Sequence, residues 1–331
     1  DPHANHRDAR NYPILHGVWL YFMVMMSTVF TFFGLHTILW FLRSMADRIR
    51  HGPPPKHGKH ETAIRRFTTL DRVNHAFVAI TFFGLTATGI PLVFSQQEWA
   101  GKLAALVGGV EAAGLWHRAF AVMLITNFVL HFIGLGLAFT RRTVSWRAWL
   151  FGPNSLLPRW KDAKDLAGMF RWFFGLGPRP SFDRWTYWEK FDYWAEVGGS
   201  MIIGGSGLLL WFPEIAARIV PGWTFNVAMI VHGYEALLAI GFIFTIHFFN
   251  AHLRPGTFPM DEVIFTGSVP EHELKEQRPA EYQRLVQSGG LEALRVKAPD
   301  PTRRPAIFVI AMVAVAIGLI LLALIIIGGL H

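Results

Sequence analysis

The chain is 331 residues long, 52% hydrophobic and 16% charged, with a mean hydropathy of +0.32. Soluble domains carry about 25% charged residues, so this composition excludes an ordinary soluble enzyme and indicates a polytopic membrane protein. The net charge of +8 is concentrated in alternate loops, which ties it to topology and lipid headgroups rather than to nucleic acid. With no cysteine, the chain cannot hold a cysteine-ligated iron–sulfur cluster, a disulfide or a covalently attached haem.

Six apolar runs follow one another, at about 13–42, 73–94, 115–139, 193–212, 225–249 and 305–330. Each reaches the roughly 20 residues needed to cross a bilayer as a helix. The expected fold is therefore all-α, an integral membrane bundle of about six transmembrane helices. Residues 1–12 are polar and do not read as a signal peptide. The sixth run, AIFVIAMVAVAIGLILLALIIIGG, has no polar side chain and reads as a lipid-facing anchor.

Loop charge predicts the orientation. The 43–72 segment carries Arg43, Arg48, Arg50, Lys56, Lys59, Arg65, Arg66 and Arg72, and the 140–190 segment is similarly basic. The 95–114 loop has only Lys102, and the 213–224 loop only Arg218. Basic loops stay in the cytoplasm, so both termini are expected outside a bacterial-type inner membrane. The chain divides into an N-terminal span with a basic loop (1–72), a four-helix core (73–250), a polar cytoplasmic segment (251–304) and a C-terminal anchor (305–331). The aromatic run SFDRWTYWEKFDYW at 181–194 reads as an interfacial belt.

Ionisable residues inside spans are costly and mark function. His117 and His131 lie 14 residues apart on the third span, and His232 and His247 lie 15 apart on the fifth. Such spacings cover about 21–22 Å of helix and return the second residue to within about 40–60° of the first. Two co-facial histidine pairs at matched depths on two helices suit two stacked haems, each needing an axial ligand above and below. By topology, His117 and His232 pair at the outer side. The inner side takes His247 with either His131 or His75, and the sequence leaves that choice open. His3, His6, His51, His57, His60, His252, His272 and His331 read as loop, tail or span-end residues. His16 and His36 are 20 residues apart on the first span and face different ways; His36 is a candidate for a quinone site or a third haem. Arg118 and Arg72 are candidate propionate partners, and Glu235, one turn past His232, is a candidate proton carrier. Gly84, Gly89, Gly204, Gly205 and Gly207 allow close approach of a bulky group or ordinary helix packing.

The run from Arg66 to His75 with the following AFVAITFFGLTATGIPLVF, GLWHRAF around His117, and IVHGYEALLAIGFIFTIHFFNAHLRPGTFPMD resemble the cytochrome b (gamma) subunits of formate dehydrogenases and the related hydrogenase and thiosulfate reductase cytochromes b. The likeness is greatest to the branch whose partners are multihaem c-type cytochromes, and it covers roughly 65–266. It implies two haem b, a quinone or quinol substrate, and a redox partner subunit of multihaem, iron–sulfur or molybdopterin type. The formate dehydrogenase pattern implies His75 as a ligand; the pattern of quinol:cytochrome c reductases, with paired histidines on two helices, implies His131. The first span, the sixth span and His131 depart from the formate dehydrogenase pattern. The expected function is electron transfer between the quinone pool and that partner. The competing reading is a non-redox transporter, or a scaffold subunit, using intramembrane histidines for protons or metal.

Overall fold

The computed structural model describes residues 5–52, 62–254, 257–258 and 260–329. His3, Lys56, His57, Lys59, His60 and His331 lie outside the described residues. In chain order the elements are α1 (Pro13–His51), strand β1 (Thr62–Arg65), α2 (Thr69–Val93), α3 (Glu98–Leu106), α4 (Val110–Thr140), α5 (Trp146–Phe151), α6 (Trp160–Phe173), α7 (Tyr187–Trp211), the single turn α8 (Pro213–Ala216) and α9 (Trp223–Phe242). Two π-helical turns, Ile243–His247 and Phe249–Leu253, extend α9. They are followed by α10 (Val263–Thr266), β2 (Ser268–Val269), α11 (Glu271–Gln277), α12 (Pro279–Gln287), β3 (Arg295–Lys297) and α13 (Arg304–Gly329).

The protein is an all-α membrane bundle. Five helical stretches are long and apolar enough to cross a bilayer: α1, α2, α4, Trp223–Leu253 and Pro301–Gly329. Their large apolar side chains are exposed in numbers a soluble protein would bury, Leu130, Ile133, Ile310 and Ile320 among them. The fourth expected span is the helix α7, but it falls short of that apolar standard because its first half carries Glu189, Lys190, Asp192 and Glu196. Each of these charges has a partner: Arg278, Asp162, His247 and Ser200 respectively. The helix packs closely on α9. At 39 residues, α1 is about 58 Å long, so its basic last turns extend well beyond a bilayer core.

Two hairpins make the core, α2 with α4 and α7 with α9. They start alike. The Thr68 side chain accepts from the Asp71 amide while the Asp71 carboxylate accepts from the Thr68 amide, and Thr186 and Glu189 repeat that reciprocal cap at the head of α7. Helix α1 packs on α9, and α13 packs on α2 and on the π-helical turn through Phe244, Phe248 and Leu321.

The polar segments fold into a cap at one end of the bundle. Strand β1 is central to a small antiparallel sheet of order β2-β1-β3, with Ile64 opposite Val269 and Ala63 opposite Val296. Ile64, Val269, Leu274 and Leu291 form its apolar centre. The cap joins the two basic segments and the polar 251–304 segment through buried and half-buried charge. Arg66 pairs with Glu281 at 2.5 Å, Arg278 pairs with Glu189 at 2.7 Å, and Arg184 donates to the Arg66 carbonyl at 2.6 Å. Removing one partner of a buried pair leaves the other uncompensated, at about 3–5 kcal/mol. Glu281→Ala is therefore expected to loosen the cap, read as faster hydrogen exchange of the β1 amides. Burial alone would raise the Glu189 carboxyl, but Arg278 and Arg66 hold it down to about 2 from an ordinary 4.5. Its stabilising contribution is complete above the ordinary value and lost as pH falls from about 4.5 toward 2. The same exchange measurement, taken across that window, checks this.

Candidate functional site

Four of the histidines meet in two pairs. At the end of the bundle away from the cap, the His117 and His232 rings have centroids 6.2 Å apart with planes at 76°. Nearer the cap, His75 and His247 have centroids 6.4 Å apart and planes at 30°. Metal–imidazole bonds of about 2.0–2.1 Å put the centroids of two imidazoles on opposite sides of one metal about 6.4 Å apart. Both pairs have that separation.

The neighbours of three of these rings dictate which nitrogen is free. Thr88 Oγ1 donates to the Gly84 carbonyl at 2.7 Å, so its oxygen accepts from His117 Nδ1 at 3.1 Å. On the other hairpin Ser206 Oγ donates to the Ile202 carbonyl at 2.7 Å, and His232 Nδ1 donates to the Ile203 carbonyl at 3.0 Å with Ser206 Oγ at 3.3 Å. His247 Nδ1 faces Asp192 Oδ2 at 3.3 Å. A ring that donates through Nδ1 keeps its lone pair on Nε2, the arrangement that orients metal-ligating histidines. Beside each distal ring is a glycine whose missing side chain makes room: a Cβ on Gly89 would lie 3.0 Å from His117 Cε1, and one on Gly207 3.1 Å from His232 Cε1.

The hairpins thus repeat one design. From the capping threonine, the hydroxyl–glycine step comes 20 residues on in both, Thr68 to Thr88-Gly89 and Thr186 to Ser206-Gly207. Seven residues after the same threonine stand His75 in α2 and Tyr193 in α7. His131 takes on α4 the place that His247 takes after α9, and Tyr193 meets it, phenol oxygen to Nε2 at 3.0 Å. One proximal position therefore holds two imidazoles, and the other an imidazole hydrogen-bonded to a phenol. The extra residue between His232 and His247 is absorbed by the π-helical turn Ile243–His247, which carries one more residue per turn and is frequent at functional sites. The sequence reading missed Thr88, Ser206, Asp192 and Tyr193; the matched 20- and seven-residue offsets from the two capping threonines were the available signal.

The remaining candidates are spread out. Arg118 is exposed near the distal pair, its Cζ 5.7 Å from the Trp211 ring centroid. Glu235 is buried at 7% exposure with Oε2 unpartnered. His36 is buried against Trp40, Phe170 and Phe173 and shares a hydrogen bond with the Tyr187 phenol. Arg72 lines a cavity with Arg303 and Arg304 at the start of α13. Among the described residues no three His, Asp or Glu side chains cluster as a self-sufficient metal site. Two facing imidazoles fit a metal whose other ligands come from a macrocycle.

No family model matches the chain. It is similar to the formate dehydrogenase cytochrome b556(fdo) subunit of Escherichia coli strain K12, 22% identical over 200 residues that cover 60% of this chain and 83% of the relative. The same subunit of the O6:H1 and O157:H7 strains matches equally. The chain is thus a distant relative of a membrane cytochrome b subunit.

Proposed function

We propose that the chain is a dihaem cytochrome b that carries electrons across the bilayer between the quinone pool and a partner redox subunit. His117 and His232 would hold the haem away from the cap, and His75 and His247 the haem beside it. The observation that carries this reading is the shared ring separation of about 6.2–6.4 Å in two pairs, with Nδ1 engaged in three of the four rings. The bound haems would supply one-electron relay between two depths of the membrane.

The protein's own groups set that chemistry up. Thr88, the Ile203 carbonyl and Asp192 fix the tautomers and aim each Nε2. The Asp192 carboxylate on the His247 ring nitrogen, in place of the carbonyl that serves His232, is the stronger of the two orienting partners. Arg118 supplies a cation at the distal side for a propionate. Glu235 can hold and pass a proton between depths. His131 and Tyr193 hydrogen-bond each other rather than ligate, and His36 is a packing and hydrogen-bonding residue of the α1–α7 contact. The positive-inside rule puts the cap in the cytoplasm and both termini outside. The partner, of multihaem c-type, iron–sulfur or molybdopterin class, supplies the terminal chemistry.

The test is a reduced-minus-oxidised spectrum and a haem assay on the purified full-length chain. Two b-type haems per chain are expected; a colourless protein overturns the reading.

A further inference from the structure

We infer that the capped end of the bundle holds the phosphodiester of one anionic phospholipid between α2 and α13. A cavity of about 140 Å³ opens there, lined by Arg72, Arg303, Arg304, Asp300, Phe265 and Ile307 among others. That is roughly ten times the minimum for one water, enough for a tetrahedral group. Its charge is unbalanced. Arg304 Nε pairs with Glu262 at 3.2 Å, and the Asp300 carboxylate accepts from the Thr302 amide at 3.0 Å. Arg72 has no carboxylate partner among the described residues, and its Nε is buried without a hydrogen bond. Three guanidiniums and one carboxylate line the cavity and Glu262 pairs with Arg304 beside it, a cationic lining that suits a monoanionic phosphodiester.

Position selects the source of that phosphate. Arg72 is in the first turn of α2 and Arg304 is the first residue of α13, so both lie where a span leaves the membrane. Beyond Ile307 and Arg72, exposed apolar side chains continue along the two helices: Phe308, Val309 and Ile310 on α13, Val73 and Ile80 on α2. Acyl chains can lie on that surface; inorganic phosphate has no use for it. Basic pockets between spans are recognised sites for anionic headgroups.

The experiment uses the full chain, purified and stripped of lipid in neutral detergent. Thermal unfolding midpoint and retained phosphorus per chain are measured after adding phosphatidylglycerol, phosphatidylcholine or inorganic phosphate. Phosphatidylglycerol alone should raise the midpoint and leave one phospholipid bound. Arg72→Gln/Arg303→Gln should lose both effects while keeping its helical circular dichroism. Arg303→Gln alone, at an exposed residue, should weaken retention and serves if the double variant misfolds. An equal response to phosphatidylcholine, an equal response to inorganic phosphate, or full retention by Arg303→Gln would each overturn the inference. None of these readouts depends on haem, so the proposed function and this site fail separately.

Discussion

Replacing His232 with alanine is expected to halve the haem content per chain while leaving the b-type absorbance of the cap-side haem in place. The reasoning starts from the ring's surroundings. His232 Nδ1 donates to the Ile203 carbonyl at 3.0 Å, and its Cε1 lies against the bare backbone of Gly207. The ring is held from one side, leaving Nε2 for a ligand on the other. Alanine removes the proposed ligand and one hydrogen bond to a carbonyl that Ser206 Oγ still reaches at 3.1 Å, a loss of about 0.5–1.5 kcal/mol, so the effect on haem should far exceed the effect on folding. On the same helix His247 lies about 22 Å further along with its own support in Asp192, and His75 stands on α2, so the cap-side site should survive. His117→Ala should behave the same way, because Thr88 and Gly89 do on α2 what Ser206 and Gly207 do on α7. Ser206→Ala should be milder than Thr88→Val, since His232 keeps the Ile203 carbonyl as acceptor. Haem quantified against protein, with circular dichroism to confirm folding, reads all four variants. Undiminished haem in His232→Ala would rule out ligation by that residue.

The parts that were legible in the sequence are those specified locally. Long apolar runs announced the spans, and the 14- and 15-residue spacings announced histidines at two depths. Three features were not legible because they depend on partners distant in the chain. The cap sheet joins residues 62–65 to 268–269 and 295–297, strands of four residues or fewer with no alternation long enough to register. The start of α7 sits in charged sequence, and those charges are tolerated only because Arg278, Asp162 and Ser200 arrive from elsewhere or from the next turn to satisfy them. The π-helical turn that lets 15 residues act as one co-facial step leaves no signature in IFTIH itself. The hairpin repeat lay between these extremes. Few identities survive between α2 and α7, but the capping threonine, the hydroxyl–glycine step and the His75/Tyr193 position keep one register.

That register decides the second large effect. His75→Ala should lose the cap-side haem, whereas His131→Ala should keep both. The two histidines lie at similar depth, and the sequence offers both to His247. The difference is what each ring faces. His75 faces the His247 imidazole at a centroid distance of 6.4 Å with planes at 30°, the separation that two bonds of about 2.0 Å to a shared metal demand. The His131 Nε2 is already taken by the Tyr193 phenol at 3.0 Å, and a direct hydrogen bond leaves no room for a porphyrin between the partners. His131→Ala therefore removes a hydrogen bond from a half-buried phenol, a change of about 1 kcal/mol, against the whole ligand field of an iron for His75→Ala. Tyr193→Phe supplies the complementary check: it frees His131 without touching His247, and haem content should remain at two per chain. The opposite pattern, with pigment lost from His131→Ala and kept in His75→Ala, would mean that the α4 histidine supplies the ligand and that the phenol contact gives way when haem binds.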